Sequence, residues 1–317
     1  MTDSPPPLYV AGRQHCGNTM LATMLGRQGE VFAFTGEGTF FEHYTPDANG
    51  ARDAESIARK VVRGADPPLG EEVCQQVVDR LMQTDDISSA VDRYTTAKAV
   101  IARMNDATRW VQKATSYIFH VDTIFRAIPD ARVIFLIRNP FDLAASLKRR
   151  GEWRRILRMI WGWNRGVAVA ESWRDDHRLL NVRYEDLVEN PAPILREICQ
   201  FADLPFEETL LRVPHVNRSE TPYNTESSTT GLDDSRVYYY RDVLSPEEEA
   251  VVRAWTDAEC LQSTYPNLPE PREHRAARQV SSTVRAVGGL VQTLAADHAA
   301  TLVQNPGHVL DRILRRI

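Results

Sequence analysis

What the chain has little of narrows it first. Its four cysteines (Cys16, Cys74, Cys199 and Cys260) are scattered through 317 residues without CxxC or CxxH spacing. Neither a zinc site nor a disulfide framework is expected, and reduced thiols in a cytoplasmic protein are. No apolar run approaches the roughly 20 residues that span a bilayer. The opening MTDSPPPLYV lacks the basic start and apolar core of a secretory signal. Basic residues are not in excess: the formal net charge is −5, so no nucleic-acid partner is expected. No internal repeat is visible. The length allows one large domain or two small ones.

What is present begins with LYVAGRQHCGNTMLATML, residues 8–25. Leu8, Tyr9, Val10 and Ala11 read as a buried strand, Gly12 stops it, and Met20, Leu21, Met24 and Leu25 recur at helical spacing. Strand, glycine-bearing loop, helix is the plan of a phosphate cradle, in which loop amides and a helix N-terminus face an anion. The loop has the frame G-x-x-x-x-G-K-[ST], with Gly12, Gly17 and Thr19 in place and Asn18 where the lysine belongs. That lysine reaches the β- and γ-phosphates of a nucleoside triphosphate, so its absence counts against ordinary ATP or GTP hydrolysis.

Further along, Glu30–Phe34 reads as a second strand and runs into the polar, glycine-flanked Thr35-Gly36-Glu37-Gly38-Thr39. Residues 46–107 are dominated by helical spacing, as in ESIARKVVR and EEVCQQVVDRLM, and predict a helical insertion over one end of a sheet. Trp110–Lys113 reads as a strand, followed by a helix through His120, Ile124 and Phe125. Arg132–Ile137 (RVIFLI) is the most strand-like run, and Asn139-Pro140 then predicts a capped helix to about Arg149. Arg150–Trp173 is helical and rich in Trp, and Leu179–Tyr184 is a further strand. Asn190-Pro191 repeats the cap-plus-proline signal. Residues 213–242 are polar and irregular, the mark of a functional loop or of disorder. Ser245-Pro246-Glu247-Glu248 is a capping box opening a helix to about Cys260.

Alternating strands and helices imply a parallel sheet covered on both faces. Its loops after Ala11, Phe34, Gln112, Ile137 and Tyr184 then share the rim where ligands bind. The tail from Pro271 sets seven arginines against three acids and carries Val280, Val284, Val287, Val291 and Leu294 in steps of four and three. This predicts a helix packed on the domain or on a second copy of the chain, a homodimer. Peripheral membrane contact is the weaker alternative.

A second phosphate signal gives the loop its meaning. In P-loop NTPases an apolar strand ends in an aspartate that helps hold Mg²⁺. Here that kind of strand ends in Arg138, which repels a metal and suits a bidentate grip on phosphate, with Ser146 two turns into the next helix. Two anion sites without a metal carboxylate fit a nucleotide phosphorylated at two separated positions better than a triphosphate.

These residues carry a resemblance. GRQHCGNT, then Glu37, then RVIFLIRNPFDLAASL is similar to the cytosolic and Golgi-type sulfotransferase family, over roughly residues 8–260. The match to R-x-P-x-x-x-x-x-S covers Arg138, Pro140 and Ser146, with Asp142 also matching. WVQKATSYIFHVDTIFRAIPDARVIFLIRNP and VRYEDLVENP resemble the flanking family segments.

The resemblance implies a co-substrate, 3′-phosphoadenosine 5′-phosphosulfate (PAPS), a product, adenosine 3′,5′-bisphosphate (PAP), and no metal. Residues 12–19 (Arg13, Gln14, His15, Cys16, Gly17, Asn18 and Thr19 after Gly12) would hold the 5′-phosphosulfate, with Asn18 and Thr19 donating to it. Arg138 and Ser146 would hold the 3′-phosphate, and Ser235 and Arg236 resemble the late segment that closes over PAPS. Glu37 is the expected base, with Glu42 and His43 as fallbacks, and Lys113 would steady the sulfuryl oxygens.

The family keeps a Lys or Arg before the Ser-Gly-Thr of its first motif, aimed at the leaving oxygen. Here His15, with an ordinary pKa near ~6.5, or Arg13 must supply that charge, and the reading has them share it.

The expected fold is α/β, a P-loop-like three-layer sandwich with a central parallel sheet, a helical insertion and a helical C-terminal tail. Residues 1–270 form the sulfotransferase domain and 271–317 the extension. The expected reaction moves a sulfuryl group to a hydroxyl of a small-molecule, carbohydrate or lipid-like acceptor. The alternatives are a P-loop small-molecule kinase and a nucleotide-binding module without catalysis.

Overall fold

Runs rich in Val, Ile, Leu and aromatic residues become five strands, the central ones buried on both faces. They are β1 (Leu8–Ala11), β2 (Val31–Phe34), β3 (Arg109–Lys113), β4 (Arg132–Ile137) and β5 (Leu179–Arg183). The computed structural model describes residues 5–44, 54–65, 68–83, 89–212, 232, 234–273 and 280–292. All strands are parallel, in the order β2-β3-β1-β4-β5. All four residues of β1 are buried, as a central strand covered on both faces requires. Register sets Val10 beside Lys113, Ala11 beside Phe135, and Phe34 beside Gln112. From β1 the chain builds β2 and β3 on one side, then crosses to build β4 and β5 on the other. The topological switch point therefore lies between β1 and β4, where sheets of this kind bind their ligands.

The described residues fall into two compact units. The first holds all five strands. Its helices are α1 (Asn18–Leu25), α2 (Ala54–Arg63), α3 (Glu71–Met82), α4 (Ala90–Met104) and α5 (Val121–Ala127). Three of these, α2 to α4, form the helical insertion between β2 and β3. Each buries one stripe, such as Ile57, Ala58, Val61 and Val62 of α2.

The second unit begins with α6 (Pro140–Arg149) and the 3₁₀ turn Trp153–Arg155. The helix α7 (Ile156–Ser172) starts in it and ends in the first unit, which continues through α8 (Tyr184–Glu189) and α9 (Pro191–Phe201). The second unit resumes with α10 (Tyr240–Val243), α11 (Pro246–Trp255), α12 (Ala258–Thr264) and α13 (280–292). No helix among the described residues is long and apolar enough to cross a membrane.

Capping chemistry predicts some ends well and others badly. Asn139 accepts from Phe141 N at 2.9 Å with Pro140 at the first helical position. The Ser245–Glu248 capping box forms in both directions. Asn190 makes no side-chain cap, because it is at once the C-cap of α8 and the N-cap of α9, at φ −133° and ψ 63°. The helix from Ser245 ends at Trp255, short of Cys260. Thr256 turns extended and Asp257 caps a new helix by accepting from Cys260 N at 2.9 Å.

The tail helix also differs from expectation. Val280, Val284, Val287 and Val291 are 39–65 % exposed, while the opposite face (Ser282, Ala286, Gly289) is buried. A Cβ on Gly289 would lie 2.5 Å from Arg154 Cα, so small residues set the packing face. Leu294 and residues 293–317, and most of the polar stretch (213–231 and 233), lie outside the described residues.

Candidate active site

The loop after β1 closes on itself through Asn18. Its Nδ2 donates to Gly12 O at 2.7 Å and to Arg13 O at 3.3 Å. The side chain standing where a P-loop lysine would reach out therefore turns back and braces the loop. What residue 18 offers an anion is its backbone N–H, in the unpaired first turn of α1. Gly12 is required by crowding: a Cβ there would lie 2.5 Å from Leu136 O and 2.3 Å from Asn18 Oδ1. Gly17, the N-cap of α1, sits at φ 95° with the Tyr184 ring 3.0 Å from where a Cβ would be. His15 takes a left-handed φ of 69°. Gln14 is exposed, and Arg13, His15 and Thr19 are half-buried.

Cys16 is fully buried in this loop. Burial pushes its thiol up to about 12, against the opposing pull of Arg138 and Arg13. It remains a thiol at neutral pH and packs there rather than reacting.

Arg138, at the end of β4, is 7 % exposed and donates from Nη1 to His15 O at 3.0 Å. Its guanidinium lies 4.2 Å from the Tyr184 ring centroid. Tyr184 thus supports both Arg138 and Gly17 from the end of β5, a role absent from the sequence reading. The switch point therefore brings together the glycine loop and the arginine expected to act with it. Arg13 lies over the Phe119 ring at 5.5 Å.

On the other side of β1, Glu37 is fixed by three donors. Lys113 Nζ reaches Oε2 at 2.7 Å, and Thr115 N and Oγ1 reach Oε1 at 2.6 Å each. Its flanking glycines are squeezed between neighbours. A Cβ on Gly36 would lie 2.0 Å from Gly64 O, and one on Gly38 2.8 Å from Gln112 Cγ. Gly38 N donates to Lys113 O at 2.9 Å. The carboxylate borders a small pocket walled by Phe40, Ile57, Val61, Tyr94, Lys98 and Gln112. Of the fallback bases, Glu42 accepts from Ser116 Oγ at 2.5 Å, and both Glu42 and His43 are exposed.

Beneath the pocket lies an aromatic cluster of Tyr9, Phe34, Phe40, Phe41, Tyr94, Trp110 and Tyr117. Burial drives the Tyr9, Tyr94 and Tyr117 hydroxyls above their ordinary range, which removes them as proton carriers near neutrality. Trp110 belongs to this core. Of the tryptophans at 153–173, Trp163 is buried and Trp161 is 57 % exposed.

Ser146, Ser235 and Arg236 belong to the second unit. Ser146 is buried on α6, Ser235 is exposed, and Arg236 lies over the Tyr239 ring at 5.5 Å. Sequence reasoning quoted Asp142 only as a motif match. It is fully buried, and its carboxylate accepts from Tyr238 N and Tyr240 N at 2.9 and 3.0 Å, tying the segment that follows Arg236 to α6. The remaining missed residues are Thr115, Gln112 and Lys98. Lys98 left a visible signal, a lone charge at an apolar helical position between Tyr94 and Ile101.

Comparison with known proteins shows the family. A family model described as "Sulfotransferase family" matches residues 6–208. The sulfotransferase domain of the Synechococcus PCC 7002 olefin synthase superposes with a TM-score of 0.57 at 18 % identity, covering 84 % of this chain and 98 % of that one. Mouse sulfotransferase SULT7A1, solved with PAP, matches at a TM-score of 0.46 and 12 % identity, over 84 % of this chain and 91 % of that one. An uncharacterized protein of Aquifex aeolicus (strain VF5) is 24 % identical over 254 residues, 75 % of this chain and 31 % of that protein. This chain thus spans about a third of that relative's length. The family model covers well over half of the residues, and the chain belongs to the sulfotransferase family.

Proposed function

We propose that the protein transfers a sulfuryl group from PAPS to an acceptor hydroxyl, with residues 1–270 as the catalytic domain and 271–317 as an extension. The observation that carries this reading is Arg138. At the switch point, where an NTPase strand ends in a metal-holding aspartate, an arginine reaches back to His15 O of the anion loop at 3.0 Å.

The donor set suits PAPS. Gly12 lets the loop turn close against Leu136 O, the loop amides and α1 N-terminus suit a phosphosulfate, and Arg138 suits a separate phosphate. Ser146, Ser235 and Arg236 are assigned to nucleotide binding on the strength of the family motif alone. Bound PAPS supplies the activated sulfuryl group, whose bond to the 5′-phosphate oxygen breaks as the acceptor oxygen binds sulfur. Glu37 takes the proton of the acceptor hydroxyl, and Lys113 orients that carboxylate and offsets charge on the sulfuryl oxygens. Arg13 and His15 offset the charge left on the departing phosphate. The acceptor is a small-molecule, carbohydrate or lipid-like alcohol that presents its hydroxyl to Glu37.

Separate titrations of PAPS and ATP, each with and without Mg²⁺, test the reading. Metal-independent binding of PAPS with no binding of ATP is expected. Mg²⁺-dependent binding of ATP in preference to PAPS would overturn it and favour a kinase. A labelled-PAPS screen over hydroxyl compounds then separates a transferase from a binding module.

A further inference from the structure

Lys98 stands where α4 would ordinarily carry an apolar residue. It is 2 % exposed, and its Nζ lies 3.6 Å from the Phe34 ring centroid, 5.1 Å from that of Tyr94 and 5.4 Å from that of Trp110. No carboxylate pairs with it among the described residues. Burying an amine this way is costly, and burial alone holds its pKa well below the ordinary lysine range. The ionisable groups around it are Tyr94 on its own helix, Lys60 of α2 and Glu37 of the loop, all in the walls of the same pocket.

What the amine does is visible at Gln112. Lys98 Nζ donates to Gln112 Oε1 at 2.5 Å. That leaves Gln112 Nε2 facing three carbonyls: Lys113 O at 2.5 Å, Gly36 O at 2.8 Å and Phe34 O at 3.2 Å. The three carbonyls can only accept, which turns Nε2 of the Gln112 amide towards them, and Lys98 Nζ, a donor in either protonation state, holds Oε1 in that orientation. Flipped, the amide would set its oxygen against them. Two of the three carbonyls belong to the residue before Glu37 and to Lys113, the ion partner of Glu37, and the third to Phe34 at the end of β2.

We propose that Lys98 is a positioning residue. Through the Gln112 amide it fixes the Gly36–Gly38 loop and the end of β3, and so the geometry of Glu37 and Lys113. This rests on the reading of Glu37 as the base. Lys98 acts on Glu37 and Lys113 through Gln112.

The test is Lys98→Met, which keeps the length and apolar bulk and removes the donor. Hydrogen exchange should become about tenfold faster at Gly38 N–H and Thr115 N–H, the two amides that bind Lys113 O and Glu37. Amides of residues 16–21 should stay unchanged, PAP affinity should hold within about twofold, and the thermal midpoint should not fall. In the wild type, the ¹⁵N shift of the Gln112 side-chain amide should move as Lys98 gains its proton on acidification, and in the variant it should be flat. Gln112→Met, which breaks the relay at its other end, should reproduce the signature at Gly38 and Thr115.

Unchanged exchange at those amides in either variant overturns the proposal. So does uniformly faster exchange with a lower midpoint, which would make Lys98 an ordinary core residue. If the wild type binds neither PAP nor PAPS, the functional reading fails, and the two-amide signature still decides the role of Lys98.

Discussion

The two flanks of β1 solve the same problem, fixing polar groups at a sheet edge, in opposite ways. On the β4 side the anion loop is built almost wholly from backbone, with Asn18 as an internal brace and Arg138 as its one long-range arm. On the β3 side Glu37 is held by side chains, from Lys113 and Thr115 and, one layer deeper, from Gln112 and Lys98. A backbone cradle is set by local spacing and by sterics. A side-chain network depends on residues far apart in sequence. Under the proposed reading the first would hold the nucleotide and the second would position the reacting carboxylate.

Substitutions can break this contrast. The largest effect is expected from Gly12→Ala, whose Cβ would meet the Leu136 carbonyl at 2.5 Å. Backbone cannot step aside cheaply, so PAP binding should fall by about 100-fold or more in calorimetry, an order of 3 kcal/mol. Glu37→Gln should lower kcat by about 100-fold or more for whichever hydroxyl compound the labelled screen finds, with PAP affinity within about twofold. Arg138→Ala should weaken PAP by about ten- to 100-fold, a charge-assisted contact of roughly 1.5–3 kcal/mol.

Lys98 adds a pH signature. Its folded pKa lies below the ordinary value, so between the two the unfolded chain binds a proton that the folded chain does not. Stability should therefore rise with pH in that window. Denaturant melts of wild type and Lys98→Met should converge as pH is raised from about 7 to about 9.5. Higher pH is avoided because Tyr9, Tyr94 and Tyr117 contribute there, with folded pKa values above the usual tyrosine range. The smallest effect concerns Cys16, whose thiol is pushed up to about 12. Native protein at about pH 8 should leave it unalkylated while unfolded protein does not, as peptide mapping would show.

The same contrast explains what was legible in the sequence. β1, the glycine loop, β4 and the Asn139-Pro140 cap were readable because each is a local pattern of apolar period, glycine and proline. Glu37 and Lys113 were readable as candidates, but their pairing across 76 positions was not. Thr115, Gln112 and Tyr184 gave no local signal, because their roles arise only when β3 is set beside β2 and β5 beside β4. Lys98 did give one, an unexplained charge in an apolar stripe. Asn18 was legible as a missing lysine, but nothing in the sequence shows that its side-chain amide turns back to donate to Gly12 O. The valine stripe of the tail had the right period, yet the helix packs through Ser282, Ala286 and Gly289, because only small residues fit against Arg154.

The central claim is that the β4 side of β1 holds the nucleotide and the β3 side serves the acceptor. It is tested most directly by titrating PAP, without divalent metal, into wild type, Arg138→Ala and Glu37→Gln. The account predicts that Arg138→Ala weakens binding by about tenfold or more while Glu37→Gln matches wild type. Equal affinity in all three, or a loss in Glu37→Gln as large as in Arg138→Ala, would contradict it.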